Sequence, residues 1–256
     1  NNILLKENGF SVNLLKMMMI FWVSQTSNYL TFSKVGIPVR VYLLKKLLGV
    51  PYSISISIKV VVTILMLFTI STVGIFSGYY APNIPYFIKS NVIYGSILLM
   101  FLLSITVYLG KRILIIKSGN ILLITRILEY TKNIYYAMNQ ISLRAIMLTF
   151  LGILFRSLIS AFVTLEIINS ISLISPSLLD IWLIQAINAI VSIVSFVPMG
   201  LGTKDLSLIY FLSVVGLNTE ESILLAIYER LIWMIFPFIL GFISSIVLGI
   251  SVFKKD

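Results

Sequence analysis

Two opposite charges, Lys204 and Asp205, directly follow a pair of glycines inside one of the most apolar stretches of the chain, in the segment PMGLGTKD at 198–205. A charged side chain near a bilayer centre costs roughly 2.5 to 3.5 kcal/mol on insertion scales, so such charges usually face a protein interior or a water-filled cavity. Gly200 and Gly202 let the backbone leave helical geometry, and freed amides before a new helix form a natural anion site. The segment therefore predicts a break in a membrane helix that can bind a phosphate, with Lys204 adding positive charge.

Asp205 has two candidate roles. It falls in the first turn of the helix that follows the break, where a carboxylate favours the positive helix end. It could instead pair with Arg230, which lies within a later apolar run. The sequence does not rank these two roles.

The residue types that are missing exclude most familiar catalytic schemes. The chain has no Cys and no His, so thiol redox chemistry, Cys or His metal sites and Ser-His or Cys-His nucleophile systems are unavailable. A lone set of Asp, Lys and Arg supplies no evident nucleophile with its base. We therefore expect no enzyme activity, no cofactor and no metal.

Composition indicates what positions these charges. Of the 256 residues, 59% are hydrophobic and 11% are charged, and several apolar runs approach or exceed the roughly 20 residues that span a hydrocarbon core. Because a bilayer offers no water to unpaired backbone groups and period-2 alternation is not dominant, the spans should be helices. We predict one all-α membrane bundle over residues 1–256. The net charge of +10 is scattered between apolar runs, which indicates contact with membrane lipids and no nucleic-acid partner.

About six to seven membrane segments are predicted, one or two of them broken or re-entrant. The run at 206–217 is too short to span the membrane unless the broken segment before it forms part of the span. A re-entrant hairpin is an equal alternative. Residues 121–142 carry polar side chains near one face and apolar ones on the other, which predicts a helix lying in the membrane interface. The predicted spans are 14–30, which is weak and polar-ended, 56–76, 92–109, 145–166, 179–197 and 223–252.

Basic residues orient the bundle, because cytoplasmic loops carry an excess of Lys and Arg. The opposite loops hold only Lys89 at 78–91 and no charge at 168–177. We therefore expect cytoplasmic basic loops and a cytoplasmic C-terminus. The first span would then start outside, which suggests that an upstream helix is missing. The basic side comprises Lys34, Arg40, Lys45, Lys46, Lys111, Arg112, Lys117, Arg126, Lys132, Arg144, Lys254 and Lys255.

The segment PMGLGTKD resembles the Pro-Gly-Gly-x-Gly-x-x-Glu signature of the lysylphosphatidylglycerol synthase transmembrane, or flippase-like, family. Gly216 and Arg230 match that family's following glycine and the arginine of its next helix. Upstream, Asn28 and SKVGIPVRVYLLKKLLGV at 33–50 resemble its Asn and Gly-Glu-x-x-Arg block, with Gly36 and Arg40 at the matching positions. Three positions depart from the pattern: Met199 replaces a glycine, Asp205 a Glu, and Ile37 the Glu of the first block.

The resemblance implies a multi-pass protein of a prokaryotic plasma membrane that moves an anionic phospholipid or lipid-linked intermediate between leaflets. A cytosolic glycosyltransferase or lipid-modifying enzyme would be a separate partner. The blocks 36–50 and 202–217 share a plan of glycine, charge, apolar run and glycine, which is typical of repeat-built transporters with a midplane site. The predicted substrate-binding residues are Asn28, Gly36, Arg40, Pro198, Gly200, Gly202, Lys204, Asp205 and Arg230.

Other interpretations stay open at this stage. A secondary transporter of a small solute would use the same broken helices. A non-transport scaffold for a cytosolic glycosyltransferase or aminoacyltransferase would use the basic amphipathic helix. Arg40 could act only as a topology determinant at the cytoplasmic surface, and 198–205 could be a simple turn.

Overall fold

The computed structural model of the protein describes residues 2–10, 12–30, 35–113, 132–133, 135–195 and 202–249. Within these ranges every regular element is helical. Backbone alone is described at 107 and 109–113. The helices are α1 (Asn2–Glu7), α2 (Leu14–Leu30), α3 (Gly36–Leu48), α4 (Tyr52–Tyr80), α5 (Tyr86–Ile113), α6 (Leu143–Ile171), α7 (Leu178–Val194), α8 (Thr203–Val214), α9 (Thr219–Arg230), a π-helical turn (Leu231–Ile235) and α10 (Phe236–Val247).

Four of the described helical segments are long and apolar enough to cross a membrane: Tyr52–Tyr80, Tyr86–Thr106, Leu143–Ile171 and Thr219–Val247. They coincide with four of the predicted spans, and α9, the π turn and α10 together form the last one. The remaining predicted segments are the shorter helices α2 and α7. The prediction of an all-α membrane protein is confirmed. The predicted interfacial helix at 121–142 lies mostly outside the described residues.

Polar side chains in the sequence fix where several helices begin. Ser177 accepts a hydrogen bond from the Asp180 amide at 3.1 Å, and Asp180 accepts one from the Ser177 amide at 3.0 Å. This reciprocal capping box satisfies two amides that the first turn leaves unpaired. Asp180 also accepts from the side chain of Asn83 at 2.8 Å. The fully buried carboxylate thereby ties the α4–α5 loop to the start of α7.

The two ends of the bundle have separate apolar clusters. One cluster joins the turn before α2, the turn after α3 and the turn before α6. It contains Val12, Val50 and Ile141, and Leu248 packs against it. We call this the basic end, because Lys16, Lys45, Lys46 and Arg144 lie in the adjoining helix turns. The other cluster joins the α4–α5 loop to the α8–α9 loop through Ala81, Ile84 and Leu217. We call this the opposite end.

Helices α2 and α3 form an antiparallel hairpin, because Leu43 and Leu44 near the end of α3 share a cluster with Met17 and Ile20 near the start of α2. The hairpin is open at the basic end. A Cβ on Gly36, just after its bend, would overlap the Ser24 carbonyl and the Asn28 side chain. The bend therefore requires glycine at this close approach.

Helices α7 and α8 form a second hairpin, which is open at the opposite end. α8 follows α7 after a short connection and packs along it, and the backbone at Gly216 after α8 lies against Ile174 before α7. With 12 residues, α8 is only about 18 Å long and too short to span alone. This agrees with the prediction for 206–217.

The first hairpin packs on the long helix that follows the second hairpin, and the second hairpin packs on α4, the long helix that follows the first. α2 packs on α10, and α7 packs on α4. Helices α3 and α8 each end one residue or two before a glycine with positive φ, Gly49 at 67° and Gly216 at 104°. Because a side chain disfavours this conformation, glycine ends both helices and the next residue turns inward. The two halves are thus interleaved.

Candidate functional site

Helix α8 begins directly after the predicted break, and Asp205 caps its first turn. The Gly202 amide donates a hydrogen bond to Asp205 Oδ2 at 3.1 Å. A carboxylate in the first turn also interacts favourably with the positive helix end. This is the first of the two roles that the sequence allowed for Asp205.

Arg230, at the end of α9, binds the same carboxylate through two hydrogen bonds. Its Nε donates to Oδ1 at 2.9 Å and its Nη2 donates to Oδ2 at 2.7 Å. Such a two-pronged contact matches the planar guanidinium to a carboxylate or a phosphate equally well. Asp205 therefore fills both roles at once, and both side chains stay partly exposed.

A second ion pair lies beside the first. Lys204 Nζ is 3.1 Å from Glu229 Oε2, and the Glu229 side chain is only 8% exposed. Thr164 of α6 donates to Glu229 Oε1 at 3.4 Å, and Gln185 of α7 donates to Thr164 at 2.8 Å. Four helices thus contribute to one polar cluster. We call its two salt bridges, Lys204–Glu229 and Asp205–Arg230, the crossed ion pairs.

The long helix loses regular geometry just after Arg230. Residues Leu231–Ile235 form a π-helical turn, and Pro237 follows it. Proline has no N–H, so the Trp233 carbonyl loses its usual donor four residues later. The Tyr29 hydroxyl at the end of α2 donates to this carbonyl at 2.6 Å. The first hairpin therefore touches the last long helix immediately beside the crossed ion pairs.

Asn28 and Gly36 are brought together, and they close the first hairpin. Asn28 Oδ1 accepts a hydrogen bond from the Gly36 amide at 2.7 Å, and Asn28 Nδ2 donates to Gln25 at 3.2 Å. These contacts hold the bend between α2 and α3. Their direct effect is on backbone geometry.

Arg40 lies elsewhere. Its guanidinium carbon is 5.7 Å from the centre of the Phe21 ring, a cation–π contact. It lines a cavity between α3 and α4 together with Lys59. The structure therefore groups Gly202, Lys204, Asp205 and Arg230 in one place and Arg40 in another. Pro198 and Gly200 lie outside the described residues.

Several residues of the cluster were not singled out from the sequence. Glu229 had a signal, since it is an acid beside Arg230 at the start of an apolar run. Tyr29, Thr164 and Gln185 had none, because hydroxyl and amide side chains are common along membrane helices and their partners are remote in sequence. Lys59 gave no signal beyond its place near the start of the predicted span 56–76.

The family model for the lysylphosphatidylglycerol synthase TM region matches residues 2–241, and the chain belongs to this family. The match includes both hairpins and every residue of the crossed ion pairs. The resemblance drawn from PMGLGTKD and the upstream block is confirmed. No curated protein and no solved structure gave a significant match to the chain.

Proposed function

We propose that this member of the lysylphosphatidylglycerol synthase transmembrane family moves an anionic phospholipid, or a lipid-linked intermediate, between the two membrane leaflets. The observation that carries the proposal is the position of the crossed ion pairs. Arg230 is the twelfth residue of the 29-residue segment Thr219–Val247, which puts it about 17 Å from the start of that segment. Charges at such a depth are typical of a path for polar or ionic groups.

The two hairpins support a membrane path at this depth. We interpret both as re-entrant, one from the basic end and one from the opposite end, with their closed ends near the middle of the bundle. In both halves the glycine that ends the hairpin is followed at the same distance by the next helix. Tyr52 begins α4 three residues after Gly49, and Thr219 begins α9 three residues after Gly216. Such inverted repeats place substrate sites near the bilayer midplane in other transporters. Tyr29 in the first hairpin and Asp205 in the second would each hold the closed end of its hairpin against the segment Thr219–Val247.

In the proposed mechanism, a lipid phosphate competes with Asp205 for Arg230. A guanidinium binds a carboxylate and a phosphate with the same two-pronged geometry, so exchange requires little movement of the arginine. The headgroup would pass through the polar cluster while its tails remain among the lipids. Rocking of the interleaved halves would open the cluster to one leaflet and then to the other.

We also propose that the basic end faces the cytoplasm of a prokaryote, following the excess of Lys and Arg there. A separate cytosolic glycosyltransferase or lipid-modifying enzyme would then supply the lipid on that side. Membrane lipids are the other partner.

The test uses proteoliposomes of phosphatidylcholine and phosphatidylglycerol with a trace of fluorescent phosphatidylglycerol, whose outer-leaflet signal dithionite removes. We expect wild-type protein to speed loss of the inner-leaflet signal. The double variant Asp205→Ala, Arg230→Ala should slow it at least tenfold, because both binding partners of the phosphate exchange are gone. Arg144→Ala, which removes an exposed cation at the basic end, is the control and should match wild type. Unchanged translocation by a folded double variant would contradict the proposal.

A further inference from the structure

The cavity between α3 and α4 is a second polar site, separate from the crossed ion pairs. Arg40 and Ser55 line it with Lys59, and Leu5, Met17 and Ile58 supply apolar walls. Ser55 and Lys59 are the fourth and eighth residues of α4, so they lie about 5 and 11 Å from the start of that helix at the basic end.

The charge of this cavity is unbalanced. Its two ionisable residues, Arg40 and Lys59, are both cations, and both are only partly exposed. The ion pairs formed within the described ranges join other residues, Lys204 with Glu229 and Arg230 with Asp205. Two cations removed from water and close to each other are costly unless an anion compensates them.

The Ser55 hydroxyl points to the same conclusion independently. Ser55 is 4% exposed, and its Oγ has no hydrogen-bond partner among the described residues. Two residues later, Ser57 donates to the Ser53 carbonyl at 2.6 Å, which is the usual solution for a serine inside a helix. A buried hydroxyl without a partner is destabilising. The Ser55 hydroxyl is therefore available to an acceptor in the cavity.

We propose that this cavity binds a phosphate oxyanion, with Arg40 and Lys59 supplying the charge and Ser55 donating a hydrogen bond. The apolar walls favour a phosphate that carries acyl or prenyl chains, and a soluble phosphate shares the same recognising groups. In a lipid transporter the cavity would load the headgroup at the basic end before it reaches the crossed ion pairs. That loading role rests on the proposed function, whereas oxyanion binding does not.

Binding is measured first, apart from transport. Purified protein is placed in nanodiscs of phosphatidylcholine with one-fifth phosphatidylglycerol. It is then released from the nanodiscs, and native mass spectrometry measures the phosphatidylglycerol that stays bound. A parallel titration uses inorganic phosphate in nanodiscs of phosphatidylcholine alone. We expect Arg40→Gln with Lys59→Gln to reduce retained phosphatidylglycerol at least tenfold, and Ser55→Ala to reduce it severalfold.

Matched variants separate charge from folding. The exchange Arg40→Lys with Lys59→Arg keeps both charges and should retain binding within about threefold. Ser57→Ala removes a hydroxyl that already has its partner and should leave binding unchanged. Loss of lipid binding alone in the Gln double variant would assign the cavity to a headgroup. Loss of inorganic phosphate binding alone would assign it to a soluble phosphate.

Unchanged retention of phosphatidylglycerol and unchanged phosphate binding in the folded Gln double variant would overturn the proposal. The Asp205→Ala, Arg230→Ala protein separates this outcome from failure of the transport hypothesis. It should still retain phosphatidylglycerol through the α3–α4 cavity although it no longer translocates it. If wild-type protein translocated no lipid but bound it through Arg40 and Lys59, the cavity assignment would stand and the transport proposal would fall.

Discussion

Asp205 caps its own helix and holds Arg230 at the same time. The same Oδ2 atom accepts from the Gly202 amide and from Arg230 Nη2. The start of α8 and the end of α9 are therefore coupled through one carboxylate. Any event that withdraws Arg230 from Asp205, such as the proposed phosphate binding, should also affect the capping of α8.

Lys204 and Glu229 should be energetically coupled in the folded protein. Glu229 is nearly buried, and breaking a buried pair leaves a charge without compensation. We expect Lys204→Met and Glu229→Gln each to lower the thermal unfolding midpoint in detergent. The double variant should lose less than the two single losses combined, with a coupling of about 0.5–3 kcal/mol.

The control for this cycle is Lys16→Met, which removes an exposed lysine from α2 and should leave the midpoint within error. Additive losses would show that Lys204 and Glu229 do not interact in the protein.

At the scale of elements, the π-helical turn explains why Tyr29 is placed against the last long helix. Pro237 cannot donate to the Trp233 carbonyl, and the Tyr29 hydroxyl donates to it instead. Thr26 Oγ1 lies 3.5 Å from the Pro237 carbonyl and 3.3 Å from that of Phe238. One face of α2 thus donates hydrogen bonds to backbone carbonyls of the π turn and of the start of α10.

Removing the Tyr29 hydroxyl should destabilise this contact. We expect Tyr29→Phe to lower stability by about 0.5–1.5 kcal/mol, because the Trp233 carbonyl loses the hydrogen bond from the Tyr29 hydroxyl. In a Pro237→Ala background the restored N–H can serve that carbonyl, so the same change should cost less. Thermal unfolding of the four proteins measures the difference.

Tyr94→Phe, which alters an exposed tyrosine on α5, is the matched control for Tyr29→Phe. An equal loss on Tyr29→Phe with Pro237 present and absent would contradict the role assigned to the proline.

At the scale of the whole molecule, the interleaved hairpins make the two ends chemically different. Lysine and arginine gather at the basic end, while Glu220 and Glu221 begin α9 at the opposite end. The positive-inside tendency predicts that the basic end lies in the cytoplasm. This orientation is open to direct measurement.

The chain has no cysteine, so single cysteines can be placed without background labelling. We expect Leu173→Cys, fully exposed at the opposite end, to react with an impermeant maleimide in intact cells. Asn13→Cys, exposed at the basic end, should react only after permeabilisation. The reverse pattern would show that the bundle has the opposite orientation.

The sequence by itself determined the class of protein, the four long apolar helices and the start of a new helix after Gly202. These depend on local quantities: apolar run length, the cost of charge in a bilayer, and glycine and capping residues that end or begin helices. The family followed from motif residues that lie together in the chain. Glycines at 49 and 216 could likewise be recognised as ends of two related segments.

Only the tertiary structure decided which side chains meet. Arg40 and Arg230 were both predicted to bind substrate, yet Arg230 binds Asp205 whereas Arg40 lies with Lys59. Tyr29 reaches a carbonyl more than two hundred residues away, and Glu229 gains Lys204 through the packing of α8 on α9. The physical reason is that a helix repeats its faces every 3.6 residues, so sequence periodicity gives a face but not the neighbour it packs against. Interleaving of the two hairpins selects that neighbour.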